Sequence, residues 1–288
     1  MNIQHMPAFE IVAAESIAPA RLHAAFGTAF ADYLIGPFQV PLAQWPQFLA
    51  RQGVDVGLSR VSLAAGEPIA FCLVAPRPEA GSWRLGTMGA LPAARGSGAA
   101  TALLDDFIAR ARAADARAVE LECFAQNTRA MRLYQKAGFK TIDALYGYRS
   151  NTGAPRGAPA TPPVVELADA LQWLDACREA GCPLPLQVTP RSLRALPVRL
   201  QAWRRGDAQL VFSQGDDGSL QVHSLVDRRP AQRDADELVA ALLALHPGCS
   251  VHVPQLQRHA VGGAALERLG FERLPLHQAW MRRSLSKG

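Results

Sequence analysis

Residues 150–163 read SNTGAPRGAPATPP, and no other stretch limits so sharply what the chain can build. Proline fixes φ and removes amide donors, glycine loosens the backbone, and no apolar period crosses the segment. Neither a helix nor a strand can be carried through it. The 288 residues are therefore expected to form two cores: a domain over 1–150, a linker over 151–163 and a second domain over 164–288.

Composition narrows the class. With 49% hydrophobic and 19% charged residues the chain is an ordinary globular one. No apolar run reaches the roughly 18 residues of a membrane span. The opening MNIQHMPAFEIVAAE lacks the basic-then-apolar pattern of a secretory leader, so a cytoplasmic location is expected. The five cysteines are odd in number and scattered, which argues against a disulfide framework. Cys177 and Cys182 have no matching Cys or His pair, and no metal site is expected. The net charge of +5 is spread over both halves. It makes no nucleic-acid footprint, but it does not repel acidic ligands.

In the first half, FEIVAA (9–14) reads as a strand, and 17–34 and 41–52 read as helices. GLSRVSLAAG and PIAFCLVAP read as a hairpin turning at Gly66-Glu67, and 82–91 as a further strand. Ala100, Leu103, Leu104, Phe107 and Ala111 then fall on one helical face. AVELECF (118–124) is a strand, 127–138 a helix with Asn127 as N-cap and Gly138 just past its end, and FKTIDALYGYR a closing strand. The order implies a mixed α/β fold with antiparallel and parallel strands.

The stretch LPAARGSGAATALLDDF (91–107) places Gly96 and Gly98 where a helix begins, although glycine costs a helix roughly 1 kcal/mol against alanine. The first amides of a helix lack internal partners and carry the positive end of its dipole. Bare glycines let a phosphate reach them, Arg95 adds a cation, and no Asp or Glu occurs from 80 to 104. The same glycines would also serve a tight turn needing positive φ. There is no Walker A lysine, and Thr101 stands where a dinucleotide fingerprint needs its third glycine.

Taken with its surroundings, this stretch resembles the GNAT superfamily of N-acetyltransferases over roughly residues 5–150. The pattern Arg/Gln-x-x-Gly-x-Gly/Ala is met by Arg95, Gly98 and Ala100, and the downstream signature by Asn127, Tyr134, Gly138 and Phe139. The resemblance implies that Arg95, Gly96, Ser97, Gly98, Ala99 and Ala100 cradle the diphosphate of acetyl-CoA. It implies that the strand at Met88 to Ala90 splays from its neighbour and pairs with the pantetheine arm, and that Asn127 also belongs to the cofactor site.

Acetyl transfer to an amine needs a neutral amine, a polarised carbonyl and a proton for the leaving thiolate. Tyr134, with an ordinary pKa near 10, can supply that proton. It lies two turns from Asn127 on a face shared with Ala130, Leu133 and Ala137, where a core-edge aromatic would also sit. Glu122 shares a strand face with Glu120. In the ribosomal-protein alanine N-acetyltransferases, which this stretch resembles, a glutamate twelve residues before the tyrosine is the general base. Glu122 matches that spacing. A structural carboxylate, with deprotonation through ordered water, is the alternative.

The second half repeats the order helix, strand, helix, Gly270-Phe271, strand. Counted back from that pair, Leu266 stands where Tyr134 does and His259 where Asn127 does. The helix entrance DRRPAQRDADE has no glycine, and Pro230 lacks an N–H. These features imply a degenerate GNAT-like domain without a cofactor site. The expected protein is an acetyl-CoA-dependent N-acetyltransferase acting by direct attack on a small-molecule or peptide amine, with no nucleic-acid or membrane partner and with a homodimer open to it. The competing class is a non-catalytic acyl-CoA-binding or protein-interaction module on the same fold.

Overall fold

The computed structural model describes residues 9–150 and 163–285, so all of the expected linker except Pro163 lies outside the described residues. The chain divides into two compact units, residues 1–142 with 281–288, and residues 143–280. The boundaries thus differ from those at 150 and 164. The strand closing the first half runs into the second unit, and the last residues of the chain return to the first. Local hydrophobic period tells where a strand lies, not which sheet it joins.

The first unit contains β1 (Glu10–Ala13), α1 (Pro19–Ala29), α2 (Trp45–Arg51), β2 (Asp55–Ala64), β3 (Glu67–Arg77), β4 (Ser82–Ala90), α3 (Ala99–Ala113), β5 (Ala118–Phe124) and α4 (Thr128–Lys136). β6 (Lys140–Ser150) begins in it. Strands β1 to β5 lie side by side in chain order. They are antiparallel except for the parallel pair β4–β5, which α3 connects. The β2–β3 hairpin turns at Ala65 and Gly66, both at positive φ, one residue earlier than expected. β3 is buried from Ala70 to Ala75, as a strand covered on both faces must be. Phe71 and Leu73 join Leu22, Phe26 and Trp45 beneath α1 and α2. The alternate residues Ala70, Cys72 and Val74 face the other way, where Leu103, Leu104 and Phe107 of α3 are buried. α1 stops at Ala29, short of the expected residue 34, and the chain continues in turns closed by Phe38 N–H on Phe30 O at 3.2 Å.

The second unit contains β7 (Val164–Val165), α5 (Leu167–Glu179), α6 (Pro190–Arg194), β8 (Gln201–Arg205), β9 (Ala208–Gln214), β10 (Leu220–Asp227), α7 (Arg233–Leu245), β11 (Val251–Arg258), α8 (Gly263–Arg268) and most of β12 (Phe271–Ser284). Its sheet runs β6-β11-β10-β9-β8-β7, with β10 and β11 parallel and α7 between them. The order found in the first unit therefore recurs. Trp203 and Trp280 are buried, and Cys177 is sealed in the core. Among the described residues no group of three or more His, Cys, Asp and Glu could hold a metal ion, and no helix is long and apolar enough to cross a membrane.

Candidate functional site

The turn ahead of α3 has the expected backbone. Gly96 and Gly98 stand at φ +92° and +87°, and a Cβ built on either meets nothing within 4 Å. Both glycines are needed for conformation, and both face open space. Ser97 Oγ accepts from Ala99 N–H at 3.2 Å. Ala102 is the first amide of the helix to reach a backbone carbonyl, that of Gly98 at 3.0 Å. The N–H groups of Ala100 and Thr101 precede that bond, at the positive end of a helix whose first turn carries no acid.

Arg95 departs from the reading that made it a free cation for the diphosphate. Its guanidinium grips Asp32 through both terminal nitrogens, Nη2 to Oδ1 at 2.5 Å, and also donates to Ala29 O at 3.2 Å. Asp32 arrives from the turn after α1, so a window over 80–104 could not show it. The Arg95 hydrogen bond holds the Asp32 carboxyl below its usual range.

Between β4 and β5 a gap opens. Their register runs from Ser82↔Ala118 to Leu85↔Leu121 and stops. Gly86 is the extra residue of a bulge against β3, since Leu73 pairs Thr87 while Val74 pairs Leu85. Beyond it Met88 and Ala90 remain paired to Cys72 and Ala70 of β3, and their other edge is unpaired by β5. A half-exposed strand edge of this kind can take up an extended ligand by backbone hydrogen bonds.

α4 brings Tyr134 to this gap. Asn127 starts the helix, its Oδ1 accepting from Ala130 N–H at 3.2 Å. Gly138 ends it at φ +82°, with Phe139 N–H on Tyr134 O at 3.0 Å. Tyr134 is 8% exposed and meets Phe139 edge to face. Burial, reinforced by Cys123, Cys72 and Tyr33, raises its hydroxyl well above the ordinary value near 10. Burial likewise pushes the Cys123 thiol up to about 12.

Tyr33 was not singled out from sequence, where it sat inside an expected helix. Its ring meets Phe124, on the end of β5 that β4 no longer pairs, at 6.1 Å. Burial and the Cys123 charge push its hydroxyl up to about 12, against a hydrogen bond from the Asn127 side chain. Asn127 is thus both a helix cap and the anchor of a second phenol. The only forewarning was an aromatic residue just before Gly36-Pro37.

Glu122 is not a free carboxylate. Its side chain is 1% exposed and is clasped by Arg84, whose Nε donates to Oε2 at 2.9 Å and whose Nη2 also reaches that oxygen. A general base needs an acceptor oxygen open to the amine, and this one is committed to a buried guanidinium. Glu120 on the same face is likewise buried and paired with Arg77 at 3.4 Å.

The corresponding place in the second unit is filled by the chain itself. Asp227, 1% exposed, accepts from Ala235 N–H at 3.0 Å at the start of α7. Gln257 of β11 donates to Leu225 O of β10 at 3.0 Å, across the diverging parallel pair. Gln232 donates to His259 O and accepts from Ala265 N–H. Leu266, at the position of Tyr134, is fully buried.

A parallel strand pair that diverges behind a glycine turn, with the start of α3 before it and a buried tyrosine beside it, makes up the candidate site. Residues 28–139 match the model of the acetyltransferase (GNAT) family. The whole chain is similar in fold to a GCN5-related N-acetyltransferase from Anabaena variabilis (16% identity, TM-score 0.65, covering 97% of this chain and 73% of that one). It is similar also to a GCN5-related N-acetyltransferase from Sphaerobacter thermophilus (14%, 0.61, 97% and 96%) and to Eis1 from Mycobacterium abscessus (15%, 0.55, 96% and 74%). No curated protein sequence matches the chain.

Proposed function

We propose that the protein is an acetyl-CoA-dependent N-acetyltransferase with one working site per chain, in the first unit. The observation that carries the reading is the open, glycine-lined start of α3 beside the unpaired edge of β4. The turn of Gly96, Ser97, Gly98, Ala99 and Ala100 brings its backbone to the diphosphate, with the N–H groups of Ala100 and Thr101 as donors since those of Ser97 and Ala99 are bonded within the turn, and Met88 and Ala90 offer theirs to the pantetheine amides. Arg95 serves the site through Asp32 rather than by direct contact.

The amine nitrogen, arriving neutral, attacks the thioester carbonyl carbon. The C–S bond breaks, and the thiolate takes the hydroxyl proton of Tyr134. The amide nitrogen loses its extra proton to water, and water returns a proton to the tyrosine. A raised tyrosine would be a poor acid toward a thiolate in bulk water. Here the burial that raises Tyr134 also raises a thiol beside it, as Cys123 shows, so the two basicities move together. The same burial keeps Cys123 protonated and favours direct attack over an acetyl-cysteine intermediate. With Glu122 bound to Arg84, deprotonation of the amine falls to solvent.

The test is calorimetric titration with acetyl-CoA, followed by thiol release in the presence of amines. Binding with acetyl transfer supports the enzyme. Binding without transfer to any amine favours the non-catalytic acyl-CoA module. No binding removes both.

A further inference from the structure

On the acetyl-transfer reading an acceptor must reach the gap between β4 and β5, and the segment after α1 stands at its mouth. Residues 30–42 read FADYLIGPFQVPL, in which Asp32 is the one carboxylate and no lysine or arginine occurs. Asp32 is held on both oxygens by Arg95. On the opposite side, the end of β5 that β4 no longer pairs reads ECF, and its carboxylate, Glu122, is held by Arg84. Neither segment therefore offers a carboxylate uncommitted to an arginine.

What the mouth does present is apolar. Tyr33 bridges from the loop to Phe124 and to the Asn127 side chain, close enough to Tyr134 to act on its ionisation. Directly after it, Leu34 and Ile35 are 43% and 49% exposed, and Leu42 is 52% exposed. Behind them Phe30, Phe38 and Val40 pack into the core under α1, so the loop has an apolar inner face already satisfied and an apolar outer face left in water. Exposed large aliphatic side chains grouped on one short segment beside a reactive site mark a binding surface.

We propose that the acceptor is a primary monoamine carried on an aromatic or aliphatic body, which lies against Leu34 and Ile35 and presents its amino group between Tyr33 and Tyr134. Amines with several positive charges are disfavoured, because their second charge would be desolvated against an apolar surface without a free carboxylate to meet it. The Asp32–Arg95 pair fixes the loop that carries this surface to the turn that carries the cofactor.

The experiment uses the full chain, acetyl-CoA, and two probe amines, phenethylamine and spermidine. Failure of the wild-type protein to bind acetyl-CoA by calorimetry would sink the acetyl-transfer reading, and this inference with it. In a protein that binds acetyl-CoA, phenethylamine is expected to exceed spermidine in kcat/KM by about tenfold or more. Ile35→Glu, at an exposed position, should raise KM for phenethylamine by about tenfold and narrow its lead over spermidine, while leaving acetyl-CoA affinity within about threefold. Leu34→Glu should act in the same direction. Preference for spermidine, no turnover of phenethylamine by a protein that binds acetyl-CoA, or an unchanged ratio in both variants would overturn the assignment.

Discussion

The structure treats the two side chains singled out for acid and base work oppositely. Tyr134 is buried without an ionic partner, and that burial raises its ionisation well above that of a free tyrosine. Tyr134→Phe should lower turnover by about 10²-fold while acetyl-CoA affinity changes only a few-fold, the loss expected of one general acid. A rate within a factor of two of wild type in a single-turnover measurement would return Tyr134 to the core. Glu122 is buried with a partner. Glu122→Gln would leave the Arg84 guanidinium, 3% exposed, without its main counter-charge. The expected cost is about 3–5 kcal/mol of stability, read as a lowered midpoint in urea. The pH–rate profile of whatever remains folded should keep the wild-type shape. A normal midpoint with a lost acidic limb would instead make Glu122 the base. Alkaline stability follows from the same burial. Cys72, Cys123 and Tyr33 are each pushed up to about 12 from ordinary values of 9 to 10. The folded chain thus holds protons that the unfolded chain releases. The stability this gives is complete below about pH 9 and is lost as pH rises toward 12, so the melting temperature should fall across that window.

At the scale of elements, legibility followed locality. β5 was placed at 118–124 from alternation, and α4 was bounded by Asn127 and Gly138, because caps and period are written within a few residues of each other. The glycines ahead of α3 were legible for the same reason. The end of α1 was not, because the apolar period runs on through Phe30 and Tyr33 after the helix stops, and those rings pack from turns. Nor were the pairs that disposed of Arg95 and Glu122, whose partners lie 63 and 38 residues away in the chain. Sequence singled out Arg95 and Glu122 and missed Asp32 and Arg84, which neutralise them. The α3 turn itself offers a sharp test. Its left-handed φ at Gly98 admits Asn at modest cost but strains other side chains, and the space before it is open. Gly98→Asn is therefore expected to fold and to keep acetyl-CoA affinity within about tenfold. Gly98→Glu should abolish binding by adding charge to the cradle, and a melting curve like that of Gly98→Asn would show that strain is not the cause. Near-normal affinity in folded Gly98→Glu would remove the diphosphate from this turn.

For the molecule as a whole the question is whether a repeated topology means a repeated site. Both units set a helix between two parallel strands that diverge, so both could have opened a gap for a thioester. In the first unit the β4–β5 pairing stops at Leu85 and Leu121, and the helix start has no acid in its first turn. In the second unit Gln257 spans the gap to Leu225 O, and Asp227 already takes an amide at the start of α7. Asp234 and Asp236 crowd the first turn of that helix. The cations that might offset them are committed: Arg228 and Arg229 to Asp207, Arg233 and Arg268 to Asp236. A diphosphate there would displace a buried carboxylate from its hydrogen bonds and face two more. Even in a well-screened setting, each like charge within about 4 Å costs on the order of 1 kcal/mol or more. Calorimetric titration with acetyl-CoA is therefore expected to give one site per chain, and Gly98→Glu should remove that event and leave no weaker second one. A stoichiometry near two, or residual binding in folded Gly98→Glu, would show that the second unit opens a cofactor site of its own, and that the Gln257 bridge is a latch rather than a plug.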